Sequence, residues 1–228
     1  NPMVLVRTDA ARELIASIDE LGWISEPSLE NRWPHNAAQE RWHSTLKSVM
    51  RAASHQSGAP ADSWDMVAHY AGIAHMVTAL APIYGHETDD KGNVLADYQH
   101  KVGKTCWEVQ HDGDPFRGPI EPFGRLCYYW DRKAHPTQAT ASPGLFVGWR
   151  LDSGLRYRGV LLVLDYDKAR RYGWLTRCVQ TCPEKEVVFP AEVTYPYAVA
   201  RDQALRTLSD VDPADAPVLE AVSYTHLR

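Results

Sequence analysis

The chain has 228 residues and a mass of 25.7 kDa, which at about 150 residues per domain leaves room for one compact unit plus an extension, or for two small units. With 44% apolar and 23% charged residues it has an ordinary globular composition, which excludes wholesale disorder and collagen-like repetition. The formal charge of −5 argues against nucleic acid for the molecule as a whole. Its distribution is uneven: residues 121–172 carry nine bases and five acids, whereas residues 173–228 carry five and eight, so positive charge is concentrated in one segment.

The opening run Met3-Val4-Leu5-Val6, ending in Arg7-Thr8-Asp9, has the pattern of a buried parallel strand that emerges in polar residues. It starts almost at residue 1, as if an upstream portion were missing. Leu14, Ile15, Ile18 and Leu21 then recur at helical spacing, Gly22 supplies a stop, and Trp23-Ile24 begins a second short strand. Strand, helix, strand reads as an α/β unit. A longer helix is expected from Asn36, a good N-cap with Gln39 three residues on, to Gly58 and Pro60. At about 100° per residue, Trp42, Leu46, Val49 and Ala53 fall on one face and Glu40, Lys47 and Arg51 on the other. The next helix is expected over about 61–81, with Trp64, Val67, Ala68, Ala71, Ala74 and Val77 as its apolar side.

Residues 86–118 are rich in Gly, Asp and Lys without a clean period and read as an irregular insertion. From Phe123 to Phe189 short runs of β-formers follow (125–130, 144–150, 159–165 and 186–189), a small mostly antiparallel β unit. The expected organisation is therefore an α/β part over 1–85, an insertion over 86–120, a small barrel-like β domain over 121–192, and a linker or tail over 193–228. No run reaches the roughly 20 apolar residues of a membrane helix, and the N-terminus lacks a signal-peptide pattern, so the expectation is an intracellular protein, nuclear or cytoplasmic, with no membrane partner. Four cysteines are too few for a disulfide scaffold, and three residues separate Cys178 from Cys182 rather than the two of a zinc knuckle, so the thiols are read as reduced.

Two acids stand out. Asp9 lies where a parallel strand would end, and Glu40 lies in the first turn of the long helix, 31 positions later. Carboxylates brought together from such places can share divalent cations, which take hard oxygen ligands, and a pair of ions so held can clamp the attacking and leaving oxygens of a phosphodiester. The plainer alternatives are an N-cap for Asp9 and a surface carboxylate at a helix N-terminus for Glu40.

The surroundings of these acids carry a resemblance. Thr8-Asp9-Ala10-Ala11-Arg12-Glu13-Leu14 resembles the Ser/Thr-Asp-x-Gly/Ala-x-Glu-Phe/Leu segment of retroviral-like integrases, and Pro34-His35-Asn36-Ala37-Ala38-Gln39-Glu40-Arg41 resembles the Pro-x-x-Asn-Gly-x-x-Glu-Arg segment that carries their last catalytic acid. The second segment is one residue shorter between Pro34 and Asn36, with Ala37 where the family favours Gly. Thr45-Leu46 and Arg51 follow as in that family. Ser57-Gly58-Ala59-Pro60 with Trp64 is similar to its Ser-Gly-Leu-Pro-x-x-x-Trp element. Pro122-Phe123-Gly124, Pro143 to Trp149, and Glu186-Val187-Val188-Phe189 resemble the Phe-Gly-Cys, Gly-Ile-Phe-Leu-Gly-Tyr and Asp-Val-x-Phe elements that follow the core in copia-type retrotransposon polyproteins.

The resemblance implies the second half of an RNase H-like integrase core followed by the small β domain. It implies catalytic, metal-holding roles for Asp9 and Glu40 with Mg2+ or Mn2+, a first acid located before residue 1, and no zinc-binding His/Cys domain in this stretch. The implied reaction is phosphoryl transfer, in which element DNA is trimmed and its 3′-hydroxyl then attacks target DNA, with DNA as partner and a homo-oligomer as the intact enzyme. Lys47 and Arg51 would hold phosphates, with a solvated helix face as the alternative. Asn36 is preferred as an N-cap near the site. In the β segment Arg150, Arg156 and Arg158 interleave with Trp149 and Tyr157, which suits nucleic acid or a partner protein, or else a packed aromatic core with exposed arginines, the reading preferred here. His35 and His43 are the histidines nearest Glu40. Ser223 to Arg228 resemble a translated adapter sequence and are assigned no function. A non-catalytic binding module, or an inactive degenerate element copy, remain the competing readings.

Overall fold

The computed structural model describes residues 4–8, 12–27, 37–131 and 140–209. It is a mixed α/β protein that divides into two compact units, Asn1–Val49 and Met50–Arg228. Asp9, His35, Asn36 and Ser223 to Arg228 lie outside the described residues.

In the first unit, β1 (Leu5–Thr8) and β2 (Ile24–Pro27) pair in parallel, Leu5 opposite Ile24 and Thr8 opposite Pro27, with α1 (Arg12–Glu20) as the connection. This is the strand-helix-strand unit expected from the periodicity. Ile18 is the buried residue of α1, whereas Leu14 and Leu21, expected to share its face, are exposed. The helix stops where Gly22 was expected to stop it: the Trp23 N–H donates to the Ile18 carbonyl and the Gly22 N–H to the Asp19 carbonyl, the paired bonds of a Schellman cap.

Helix α2 (Ala37–Ser57) begins in the first unit and ends in the second. Its C-terminus repeats the device: Gly58 sits at φ +70° and the Ala59 N–H reaches back to the Ser54 carbonyl. A side chain at Gly58 would have no space, because a Cβ there would lie 2.4 Å from the Ala198 nitrogen. Of the apolar face expected for α2, Ala53 is buried, but Trp42 is 39% exposed.

In the second unit, α3 (Trp64–Thr78) buries Met66, Val67, Ala71, Ile73 and Val77. Trp64, expected on that face, is instead 64% exposed at the first position of the helix, while Met66 and Val67 in the same turn are buried. Residues expected to form an irregular insertion contain 3-10 turns at Gly85–Glu87 and Ala96–Lys101 and a short helix, α4 (Cys106–Gln110). Thr105 and Glu108 cap α4 reciprocally, which lets Trp107 reach the core.

The β unit is an antiparallel sheet in the order β6-β5-β4-β3-β7, formed by β3 (Leu126–Trp130), β4 (Ala141–Asp152), β5 (Arg156–Asp165), β6 (Val179–Pro183) and β7 (Val187–Val188). The run Leu145-Phe146-Val147 is buried throughout because the sheet has a core on each side. Phe146 and Trp149 join Ile73, Val77 and Trp107 in one cluster; Leu145 and Val147 join Ala53, Val67, Phe123 and Trp174 in the other. A register shift between Phe146 and Gly148 lets β4 turn its side chains at that point. There the Trp149 carbonyl accepts from the His69 Nε2–H at 3.1 Å.

Helix α5 (Tyr166–Tyr172) follows β5, and α6 (Pro196–Ser209) occupies residues expected to be a linker or tail. Two contacts seat α6: Tyr197 packs edge-on to Trp174 at 5.2 Å, and the Arg201 guanidinium donates to the His55 carbonyl. No described helix is long and apolar enough to cross a membrane.

Candidate functional site

The expected acid pair is only partly within the described residues. Glu40 lies in the first turn of α2 with its side chain exposed, where a helix N-terminus favours a carboxylate. Asp9 follows the last residue of β1 in sequence, and its own position is outside the described residues, as is that of Asn36, which immediately precedes α2. Among the described residues no group of three or more His, Cys, Asp or Glu side chains is gathered as a metal site. Lys47 and Arg51 are exposed on α2 and each is engaged with a neighbour. His43, expected near Glu40, is exposed on the same helix.

The elements that carry the family resemblance in the second unit meet in space, and they meet as packing rather than as chemistry. Gly124, at φ +74°, lies so close to the end of α2 that a Cβ built on it would be 2.4 Å from the Cβ of Ser57. Ser57 is 1% exposed, and its hydroxyl donates to the Ala53 carbonyl at 2.7 Å. Phe123 packs on Tyr70 and Trp174, and Phe146 meets both Trp149 and Phe189 edge-on. Thus Ser57-Gly58, Phe123-Gly124, the Leu145 to Trp149 run and Phe189 lock α2 and α3 to the sheet.

A charged cluster closes the same junction. Arg125, 8% exposed, pairs with Glu121 and donates to the Pro190 carbonyl, with its guanidinium 5.4 Å from the Phe189 ring. A buried charge requires such partners. In the insertion, Glu87 is buried, paired with Lys101 and bonded to the Tyr84 N–H; the lysine, then the backbone donor, hold its carboxyl below the ordinary value.

The arginine and aromatic set of the β segment separates into two roles. Trp149 is fully buried: it stacks on Tyr70 at 5.4 Å, and its indole N–H donates to the Pro119 carbonyl at 2.8 Å. The Tyr157 hydroxyl donates to Glu184 at 2.9 Å, and burial together with that carboxylate raises its pKa. Arg158 pairs with Asp152 at 3.1 Å, while Arg150 and Arg156 are exposed. The aromatic members therefore form core and the arginines face solvent, without an exposed ring between them.

A basic feature that the sequence reading passed over lies at the other end of β5. Asp165 caps α5 by accepting from the Lys168 N–H at 3.0 Å, and it also accepts from the Tyr129 hydroxyl and the Lys168 ammonium. Burial alone would raise the Asp165 pKa, but the Lys168 bonds and the Tyr129 hydroxyl outweigh it and hold the carboxyl below its usual range. From this rigid base project Lys168, Arg170, Arg171 and Tyr172, all exposed, lining an open cavity of about 640 Å³. The signal was present in the sequence as Lys168-Ala169-Arg170-Arg171-Tyr172 within the positively charged segment, but periodicity over so short a run did not distinguish a helix from a turn.

No protein-family model matches this chain, and no curated protein matches it. Among solved structures, the chain is similar to one from the cryo-EM structure of the simian T-cell lymphotropic virus intasome in complex with PP2A regulatory subunit B56 gamma, at 15% identity and a TM-score of 0.31. The likeness covers 83% of this chain and 58% of that one, so the chain spans less than two thirds of the length of the protein it resembles.

Proposed function

We propose that the chain is a piece of a retrotransposon integrase of the copia type, comprising the second half of an RNase H-like core and the β unit that follows it. The observation that carries this reading is the parallel pairing of β1 with β2 through α1, with α2 next in order. In α/β sheets, ligands gather outside the carboxyl ends of parallel strands. Asp9 directly follows the carboxyl end of β1, and Glu40 stands in the first turn of the helix that follows β2. The order of the resembling motifs along about 190 residues supports the same reading.

Two carboxylates are the donor type that Mg2+ or Mn2+ takes, and the exposed Glu40 side chain leaves its oxygens reachable. Asp9 and Glu40 would hold the cations, which, when bound, supply charge stabilisation to the attacking and leaving oxygens of a phosphodiester. Positioning of DNA falls to the bases on α2: Lys47 and Arg51 would hold backbone phosphates, which fixes the strand without reading its sequence. DNA ends and target DNA are the partners of this reading, and a homo-oligomer is its working form, in the nucleus or cytoplasm.

The test is end-joining by this chain preceded by its natural upstream strands, with magnesium or manganese. Joining lost on Asp9→Asn or on Glu40→Gln is the predicted result, and full activity in both variants rejects the reading. A second reading, a non-catalytic nucleic-acid-binding module, is favoured by the exposed bases of the β unit; an inactive element copy would bind metal with neither acid.

A further inference from the structure

We propose that α5 is a contact ridge for a nucleic-acid strand, with Arg170 and Arg171 receiving phosphates and Tyr172 offering a stacking face. The proposal rests on the nucleic-acid partner of the reading above and on none of its metal chemistry.

Several observations set α5 apart from the other basic surfaces. Arg170 and Arg171 pair with no carboxylate among the described residues; instead their guanidinium groups lie 5.8 Å and 5.9 Å from the rings of Tyr166 and Tyr172. An arginine held over a tyrosine keeps its N–H donors available while its position is restricted, which suits phosphate recognition. Tyr172 is 52% exposed at the end of the helix, beside the open cavity lined by Asp167, Lys168, Arg170, Arg171 and itself. Single strands are bound by this combination of a positive groove and an exposed aromatic ring.

The helix is also a fixed platform. Asp165 caps its start, Ala169 is buried beneath it, and the Gly173 N–H closes its end on the Ala169 carbonyl. The arginines at the opposite end of β5 lack the second element, since Trp149 is fully buried and the Tyr157 hydroxyl is committed to Glu184. Stabilisation of a helix C-terminus by Arg170 and Arg171 accounts for their charge, but not for the exposed ring beside them.

The experiment measures binding of a labelled oligonucleotide, as single strand and as duplex, to the full chain across a salt series, with thermal melting as the folding control. Arg170→Gln with Arg171→Gln is expected to lower the slope of log affinity against log salt by about 1.4 for single strands, at about 0.7 per phosphate. Tyr172→Ser is expected to weaken single-strand binding roughly 5- to 150-fold. Asp167→Asn, which removes the one acid lining the cavity, is expected to tighten binding, so a poorly folded arginine variant does not remove the test. Binding unchanged in these variants but lost on Arg150→Gln with Arg156→Gln overturns the proposal while leaving the partner in place. Absence of salt-dependent binding by the unaltered chain overturns it together with the partner.

Discussion

Replacing Gly124 by alanine tests the packing that joins the resembling motifs. At φ +74° an L-residue costs about 1–2 kcal/mol in backbone strain. The added Cβ would stand 2.4 Å from the Ser57 Cβ, an overpacking that costs about 1–3 kcal/mol more. Gly124→Ala is therefore expected to destabilise the chain by about 2–5 kcal/mol, read as the shift in urea midpoint by tryptophan fluorescence. Ser57→Gly removes the opposing carbon, at the cost of its bond to the Ala53 carbonyl and a more flexible helix end. In the double variant the clash is gone, leaving the backbone strain at residue 124 and the separate cost of Ser57→Gly, so the two changes should couple favourably by about 1–3 kcal/mol. Additivity within about 0.5 kcal/mol would refute the contact between the end of α2 and the turn before β3.

Trp149→Ala is expected to cost about 3–5 kcal/mol in the same assay, and Trp64→Ala less than about 0.5 kcal/mol, because one ring is fully buried and the other mostly exposed. Asp165 has a lowered pKa in the folded chain, so its contribution is complete above the ordinary carboxylate value of about 4 and is lost as pH falls through its folded pKa. Asp165→Asn should cost about 1–2 kcal/mol at neutral pH through the charged bonds to Lys168, and should lessen the acid destabilisation seen in pH-dependent melting. For the thiols, alkylation followed by mass spectrometry should modify Cys106 first. Cys127, whose pKa burial pushes up to about 12, together with Cys178 and Cys182, should react only after denaturant is added.

Much of the fold was legible because its signals are local. The glycine stop of α1, the glycine end of α2 and the β-rich runs of the sheet each depend on residues within a few positions. The errors have tertiary causes. Trp64 and Trp42 fit an apolar stripe by spacing but are 64% and 39% exposed, because helical spacing does not say how far along its length a helix is covered. Helix α6 carries no clear stripe; its place is set by Tyr197 against Trp174 and by the close approach to Gly58, neither visible along the chain. Helix α4 did leave a local mark, the Thr105 and Glu108 capping pair, which the irregular composition around it obscured. At the candidate site the types of residue were legible, but their placement was not: Trp149 suits a binding surface or a packed aromatic core in sequence, and in space it lies in the core.

The central claim, that Asp9 and Glu40 grip the same cations, is tested most directly by water-proton relaxation during Mn2+ titration of the chain. The account predicts binding that falls on Asp9→Asn and equally on Glu40→Gln, with the double variant no worse than either single one, as expected of two ligands to a shared ion. Binding that is indifferent to both substitutions, or losses that simply add, would contradict it.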